Sequence, residues 1–573
     1  MHMLNRLLLA SLLSASLATA QTATPPKDTA KSSRSKPAPS AQPSEHAAHA
    51  AAAPPGAPPL VAGFGHVNHR VKTSSPLAQR YFNQGLALAY GFNHDEAKRD
   101  FEYALKLDPK MAMGWWGVAY VVGPNYNLPI DNEREKEAFS AIQKAMGLSE
   151  GGPQVERDYI EALGQRYSND TTPDFQQLAQ DSCGAMRELS RKYPDDLDAA
   201  TLFAESAMNL HPWQLWNHAG TPAAGTEEIV ATLESVLKRD PNHLGANHFY
   251  IHAVEASNHP ERALPSAERL AALAPASGHL VHMPGHIYIR TGDHEASEKT
   301  NENAAVADEA FIRANKPQGI YPMMYYTHNL HFLAIENSML GRYEPAIAAA
   351  QKIHAHVGPF VKQMDMLQAF DVMPMLVMVR FRRWDDILKL PQPPPSQIVS
   401  TGMWRYARGL AFASQNKTDD AKRELAALNQ VAPEMAKIPT NSVGPGNAER
   451  IPQIAAHIIE ARIAAAQGDN DGAVEHLRWA VALQDEMDYN EPPDWFYPVR
   501  ESLGGALLQA GRPQEAEKVF REDLDANPRN PRSLFGLMEA LTAEGRKEDA
   551  GYVQTQFENA WKLATVKLTV AEL

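Results

Sequence analysis

The sequence predicts an all-α protein, a solenoid of stacked helical hairpins with several loop insertions, and three observations carry that prediction. The chain has 573 residues, several times a usual domain length, so its core must grow by stacking or divide among domains. From about residue 76 the apolar pattern reads helix, turn, helix, with few alternating β-branched runs. A fixed period lies over it. In AQRYFNQGLALAYGFNHDEAKRDFEYALKLDP, with Ala78 as position 1, Tyr81, Gly85, Leu88, Ala97, Phe101, Ala104 and Pro109 fall at positions 4, 8, 11, 20, 24, 27 and 32 of a unit of about 34 residues. Small residues at 8 and 20 let two helices approach, and large residues at the other slots fill the gap between them.

The segments follow in chain order. Residues 1–20 read as a secretory signal peptide: Arg6 is the basic start, Leu7 to Ala18 the apolar stretch, and Ala18-Thr19-Ala20 a small-x-small cleavage site. Cleavage after Ala20 predicts a periplasmic or secreted protein. The apolar run is shorter than the roughly 20 residues of a membrane anchor, and no later segment approaches one, so no membrane insertion is expected after cleavage. Residues 21–65 are a Pro/Ala/Ser-rich linker too poor in large apolar groups to order itself. Residues 66–390 hold the N-terminal and central repeats and residues 391–573 the C-terminal ones. Cys183 is the single cysteine, so no intramolecular disulfide is available in an oxidising compartment. The formal charge of −14 becomes about −17 without the signal and linker, which argues against a nucleic-acid partner.

The register recurs from Ala112, Leu197, Leu244, Gly278, Thr327, Gly402, Ile454, Tyr497 and Pro531. Insertions rich in Gly, Pro, Asn and Trp are expected at about 123–152, 210–225, 309–326, 391–401 and 432–453, folding over one face of the stack. These slots are those of the tetratricopeptide repeat, and residues 76–565 resemble that family. More narrowly, FNHDEAKRDFEYALKLDP and HMPGHIYIR resemble segments of secreted bacterial repeat proteins. The resemblance implies fold and export, and implies no activity.

Positions 2, 5 and 9 of a repeat's first helix share a sector of roughly 60°, and in the tetratricopeptide family that sector lines the concave groove. The repeats from Leu244, Gly278 and Thr327 fill it with histidine: His248 and His252, then His279, His282 and His286, then His328 and His331. Crowded neutral imidazoles make a metal site or a pH-sensitive patch. A transition metal is expected, with Zn, Cu and Fe all compatible, and Glu255 is a candidate carboxylate ligand. For a metal-dependent enzyme the ion is read on His248, His252, His282 and His286. Pro284 threatens this lattice: a helix restarting there is expected to carry His279 and His282 out of it. Glu205, Trp213, Trp216, Tyr325 and Tyr326 are the other candidate groove residues, the tryptophans as a lid or as a plug.

No phosphate-binding glycine loop, dinucleotide fingerprint, nucleophile elbow or CxxC pair is present, and HFYIHAVE lacks the glutamate of a zinc-protease motif. The expected function is a scaffold holding a protein, peptide or small ligand in its groove, with a metal bridged by the histidines. The alternatives are a metal-dependent enzyme, oxidative or hydrolytic, and metal buffering or delivery in the periplasm.

Overall fold

Each hairpin begins where a polar side chain meets the first free N–H groups of a helix. In the computed structural model, which describes residues 57–317, 319–439 and 447–573, the Ser75 hydroxyl accepts from the Ala78 N–H at the start of the helix Pro76–Tyr90. Asp196 does the same for Leu197–Met208 and Asp293 for His294–Asn315. The signal segment, and the linker up to residue 56, lie outside the described residues. Val61–Leu573 forms one unit; among the described residues it is helical throughout, with no β-strand and no helix long and apolar enough to cross a membrane.

The spacing of the helices is set by an aromatic ring gripped between glycines. Phe101 lies against Gly85, the small slot of its own repeat, and Gly117 in the next, where an added Cβ would fall 2.9 and 2.5 Å from the ring. The same device returns near the C-terminus, where a Cβ on Gly504 or Gly536 would stand 2.3 or 2.1 Å from Phe520. Both rings sit at position 24 and both glycine pairs at positions 8 and 6 of successive repeats, so packing preserves the register read from the sequence.

The helix Asn132–Ser149 corrects the long insertion expected at 123–152: it is the second helix of the repeat begun at Ala112, packed on Ala112–Val122, and only residues 123–131 are inserted. Two hairpins carry no recognised start. Gln154–Gly164 pairs with Phe175–Lys192, and Met373–Arg380 with Trp384–Lys389. The linker also ends earlier than residue 65, because Phe64 is buried 6.0 Å from the Phe311 ring and the Gly63 carbonyl accepts from the Ala276 N–H at 2.8 Å.

Two outcomes follow from this packing. Gly536→Ala forces a methyl onto Phe520, so its urea midpoint should fall by the equivalent of about 1–3 kcal/mol with an unchanged m-value. Asp100 is buried, and burial raises its carboxyl to about 8 although the Gln84 amide donates to it. Its folded pKa lies above its unfolded one, so its contribution is complete below about pH 4 and is lost as the pH rises through about 8. Asp100→Asn should therefore melt higher than the native chain at pH 8–9, with the gap closing near pH 4.

Candidate metal centre

The helix Leu244–Val254 is capped by His243, whose Nδ1 accepts from the Ala246 N–H at 3.2 Å, and it is buried on every side, His248 and His252 included. The next repeat supplies Gly278–His282 and Pro284–Thr291. Pro284 interrupts hydrogen bonding but not direction, because Met283 keeps right-handed helical angles (φ −51°, ψ −34°). His282 and His286 therefore stay one turn apart, and the expected loss of His279 and His282 from the lattice does not occur.

The rings sort into two trios by a single rule. Positions 5 and 9 of one repeat meet position 2 of the following one: His248 and His252 with His279, and His282 and His286 with His328. Within each trio one nitrogen per ring lies within 4.8 Å of the others. The Nε2 atoms of His248 and His279 are 3.1 Å apart, those of His282 and His286 2.7 Å, and those of His286 and His328 3.3 Å. The single set of His248, His252, His282 and His286 is thus corrected, because superhelical stacking turns position 2 of the later repeat toward positions 5 and 9 of the earlier.

The outward nitrogens are held by fixed acceptors, which decides the tautomers. His248 Nδ1–H donates to the Tyr90 carbonyl at 2.5 Å and His282 Nδ1–H to Asn301 Oδ1 at 2.6 Å. The Asn301 amide is oriented by its own Nδ2–H, which donates to the Ser297 carbonyl. Glu255 takes one imidazole from each trio, His252 Nδ1–H on Oε1 at 2.7 Å and His286 Nδ1–H on Oε2. In these four rings Nδ1 is the donor, which leaves Nε2 turned inward. Burial drives the pKa of His248, His279, His282 and His328 well below the ordinary value, reinforced by neighbouring imidazoles. Burial opposes ionisation of Glu255, but His286 and His252 outweigh it and hold the carboxyl down at about 2.

The surroundings are apolar and closed. His248, His252, His279, His282 and His286 are no more than 1% exposed. Phe92, held at φ 55°, lies 4.6 to 5.8 Å from each ring of the first trio, and Phe332 lies 4.7 to 5.1 Å from each ring of the second. From far along the chain, Tyr489 donates to Glu491 Oε1 at 2.6 Å and lies beneath the Arg290 guanidinium. Arg290 also donates to the Glu255 and Ser257 carbonyls. Burial raises the Glu491 carboxyl to about 7 against the pull of His286, and its Oε2 has no hydrogen-bond partner among the described residues.

Comparison with known proteins bears on the scaffold. Tetratricopeptide-repeat family models match residues 78–111 and 502–557. The chain carries tetratricopeptide repeats. Among solved structures it is similar to the APC/C hetero-tetramer Cut9-Hcn1 (12% identity, 81% of this chain and 76% of that one, TM-score 0.30). It is also similar to the human IFIT1 dimer with m7Gppp-AAAA (12% identity, 87% and 92%, TM-score 0.32). No curated protein matches.

Within the helical array the remaining candidates divide. Trp213 (φ 62°) stacks on Tyr126 at 5.5 Å, meets the His252 ring edge-on at 5.9 Å, and donates to Asn127 Oδ1. Tyr325 meets the His279 ring at 4.7 Å. Both cover the cluster. Trp216 instead anchors its loop, donating to the Ala253 carbonyl at 2.7 Å. Tyr326 turns away to Glu309, and Glu205 bonds Asn209 in a separate small cavity with Trp116 and Arg166. His331 packs on Phe370 at 5.5 Å, outside both trios, because position 9 of its repeat is Ile335 and offers no second ring. Glu255 orients two imidazoles through Nδ1, where the sequence suggested a ligand.

A lid of this kind has a chemical signature. Diethyl pyrocarbonate should acylate exposed His259 and His354 (side chains 71% and 61% exposed) while sparing the buried rings, and Trp213→Ala should make His252 reactive by peptide mass mapping.

Proposed function

We propose that this chain is an exported tetratricopeptide scaffold whose histidine cluster holds a transition metal, and whose repeat surface engages a protein, peptide or small ligand. Export rests on residues 1–20, which have the pattern of a secretory signal, and scaffolding on the concave surface that stacked repeats present.

One observation carries the metal. His282 and His286 each give Nδ1–H to a fixed acceptor, so two buried lone pairs face each other across 2.7 Å. Such a gap is stable only with a cation in it. A proton is the competing occupant, making His286 an imidazolium paired with Glu255. Ligand type favours metal: imidazole at Nε2 with an acceptor on Nδ1 is the usual arrangement of a metal-bound histidine, and it suits Zn, Cu or Fe.

A second reading, catalysis at that metal, is favoured by Glu491, a buried carboxylic acid with a free oxygen and a pKa near 7 beside the cluster, as a general acid or base requires.

Elemental analysis separates metal from proton. The purified native chain should carry metal and His282→Ala/His286→Ala should lose the share held by those rings. Metal-free native protein whose melting temperature is unmoved by added Zn, Cu or Fe would falsify the metal reading.

A further inference from the structure

We infer that the cluster is a two-ion centre, with one copper ion in each three-histidine pocket. This rests on the metal reading above and extends it.

Geometry argues for two ions. An ion bound to three imidazoles at about 2.0 Å in a trigonal arrangement separates the nitrogens by about 3.5 Å. The Nε2 separations of 3.1 Å (His248 to His279) and 3.3 Å (His286 to His328) approach that spacing, and the 2.7 Å between His282 and His286 must widen to reach it. The pockets also repeat each other. Each takes positions 5 and 9 of one repeat and position 2 of the next, and in each a phenylalanine, Phe92 or Phe332, packs against all three rings. They abut, with the His252 and His286 rings 5.6 Å apart and those of His279 and His282 5.9 Å apart. Glu255 spans the seam with one oxygen on a ring of each pocket, so the two pockets share one orienting carboxylate.

Charge and ligand type argue for copper. The donors are neutral imidazoles with no thiolate among them, and the Glu255 oxygens are engaged at Nδ1. The carboxylates beside the pockets are Glu255 and Glu491, while Arg290 adds a positive charge. Two divalent ions would outweigh these carboxylates in a dry interior, where uncompensated charge is costly. Two monovalent ions would leave two fewer positive charges uncompensated. Copper is the imidazole-binding metal with an accessible monovalent state, and it heads the affinity order for nitrogen ligands as the divalent ion.

The test is stoichiometry. The chelator-stripped, signal-free chain is titrated without oxygen with Cu(I) in competition with a chromogenic Cu(I) chelator, and Zn(II) is titrated in parallel. The inference expects two equivalents of Cu(I) in the native chain. It expects one in His248→Ala/His279→Ala and one in His282→Ala/His328→Ala, each checked for native helicity by circular dichroism. One equivalent in the native chain would leave the metal reading standing and overturn the two-ion inference, whatever the variants do. No binding of either ion would overturn both. Two equivalents of Zn(II) that Cu(I) fails to displace would overturn the choice of copper.

Discussion

Everything at the histidine cluster depends on the register of one repeat upon the next, and toward both ends of the array that register is marked by steric interlock. Phe101 between Gly85 and Gly117, and Phe520 between Gly504 and Gly536, allow helix spacings that no larger residue at those glycines would permit. In the histidine repeats position 2 of one repeat lies beside positions 5 and 9 of its predecessor. The two trios are that rule applied twice, and His331 stands outside because Ile335 ends it.

The same stacking explains how so many imidazoles are tolerated in a dry interior. The repeat begun at Gly278 keeps its glycine at position 8, Gly285, but places Asn301 at position 24, the slot held by Phe101 and Phe520 elsewhere. A Cβ on Gly285 would stand 2.7 Å from the Asn301 amide, so the amide fills the aromatic's place and turns its oxygen to His282. Tyr90 has a comparable double role. Its carbonyl orients His248, while its hydroxyl donates to Asp198 at 2.5 Å, a carboxylate also met by His69 and His243. Packing and polar satisfaction are one design here: the residues that set helix spacing are neighbours of those that fix the tautomers.

Much of this was legible in the sequence, and the remainder was not for identifiable reasons. Period and phase located the repeats from Ala78, Leu244 and Gly278 and put His248, His252, His282 and His286 on the facing sides of neighbouring helices. The grouping into trios was not legible, because periodicity within a helix does not report superhelical rotation between helices. Gln154–Gly164 and its partner escaped notice because the residues inserted between them break the period, and Met373–Arg380 because its partner Trp384–Lys389 spans under two turns. Asn301 was readable as a polar residue in an aromatic slot. Tyr489 and Glu491 were beyond reach, since no local pattern joins the segment before Val499 to a cluster more than 150 residues earlier. Phe92, in an ordinary inter-helix turn, gave no sign that it walls the first trio. Tyr126, Trp213 and Tyr325, all from the expected insertions, lie against the histidine rings.

The most direct measurement of the central claim is an anomalous difference map from crystals of copper-loaded protein, recorded on both sides of the copper absorption edge. The account predicts two peaks that appear only above the edge, one bounded by His248, His252 and His279 and the other by His282, His286 and His328. A single peak shared between the trios, or density accounted for by protonated imidazoles alone, would contradict it.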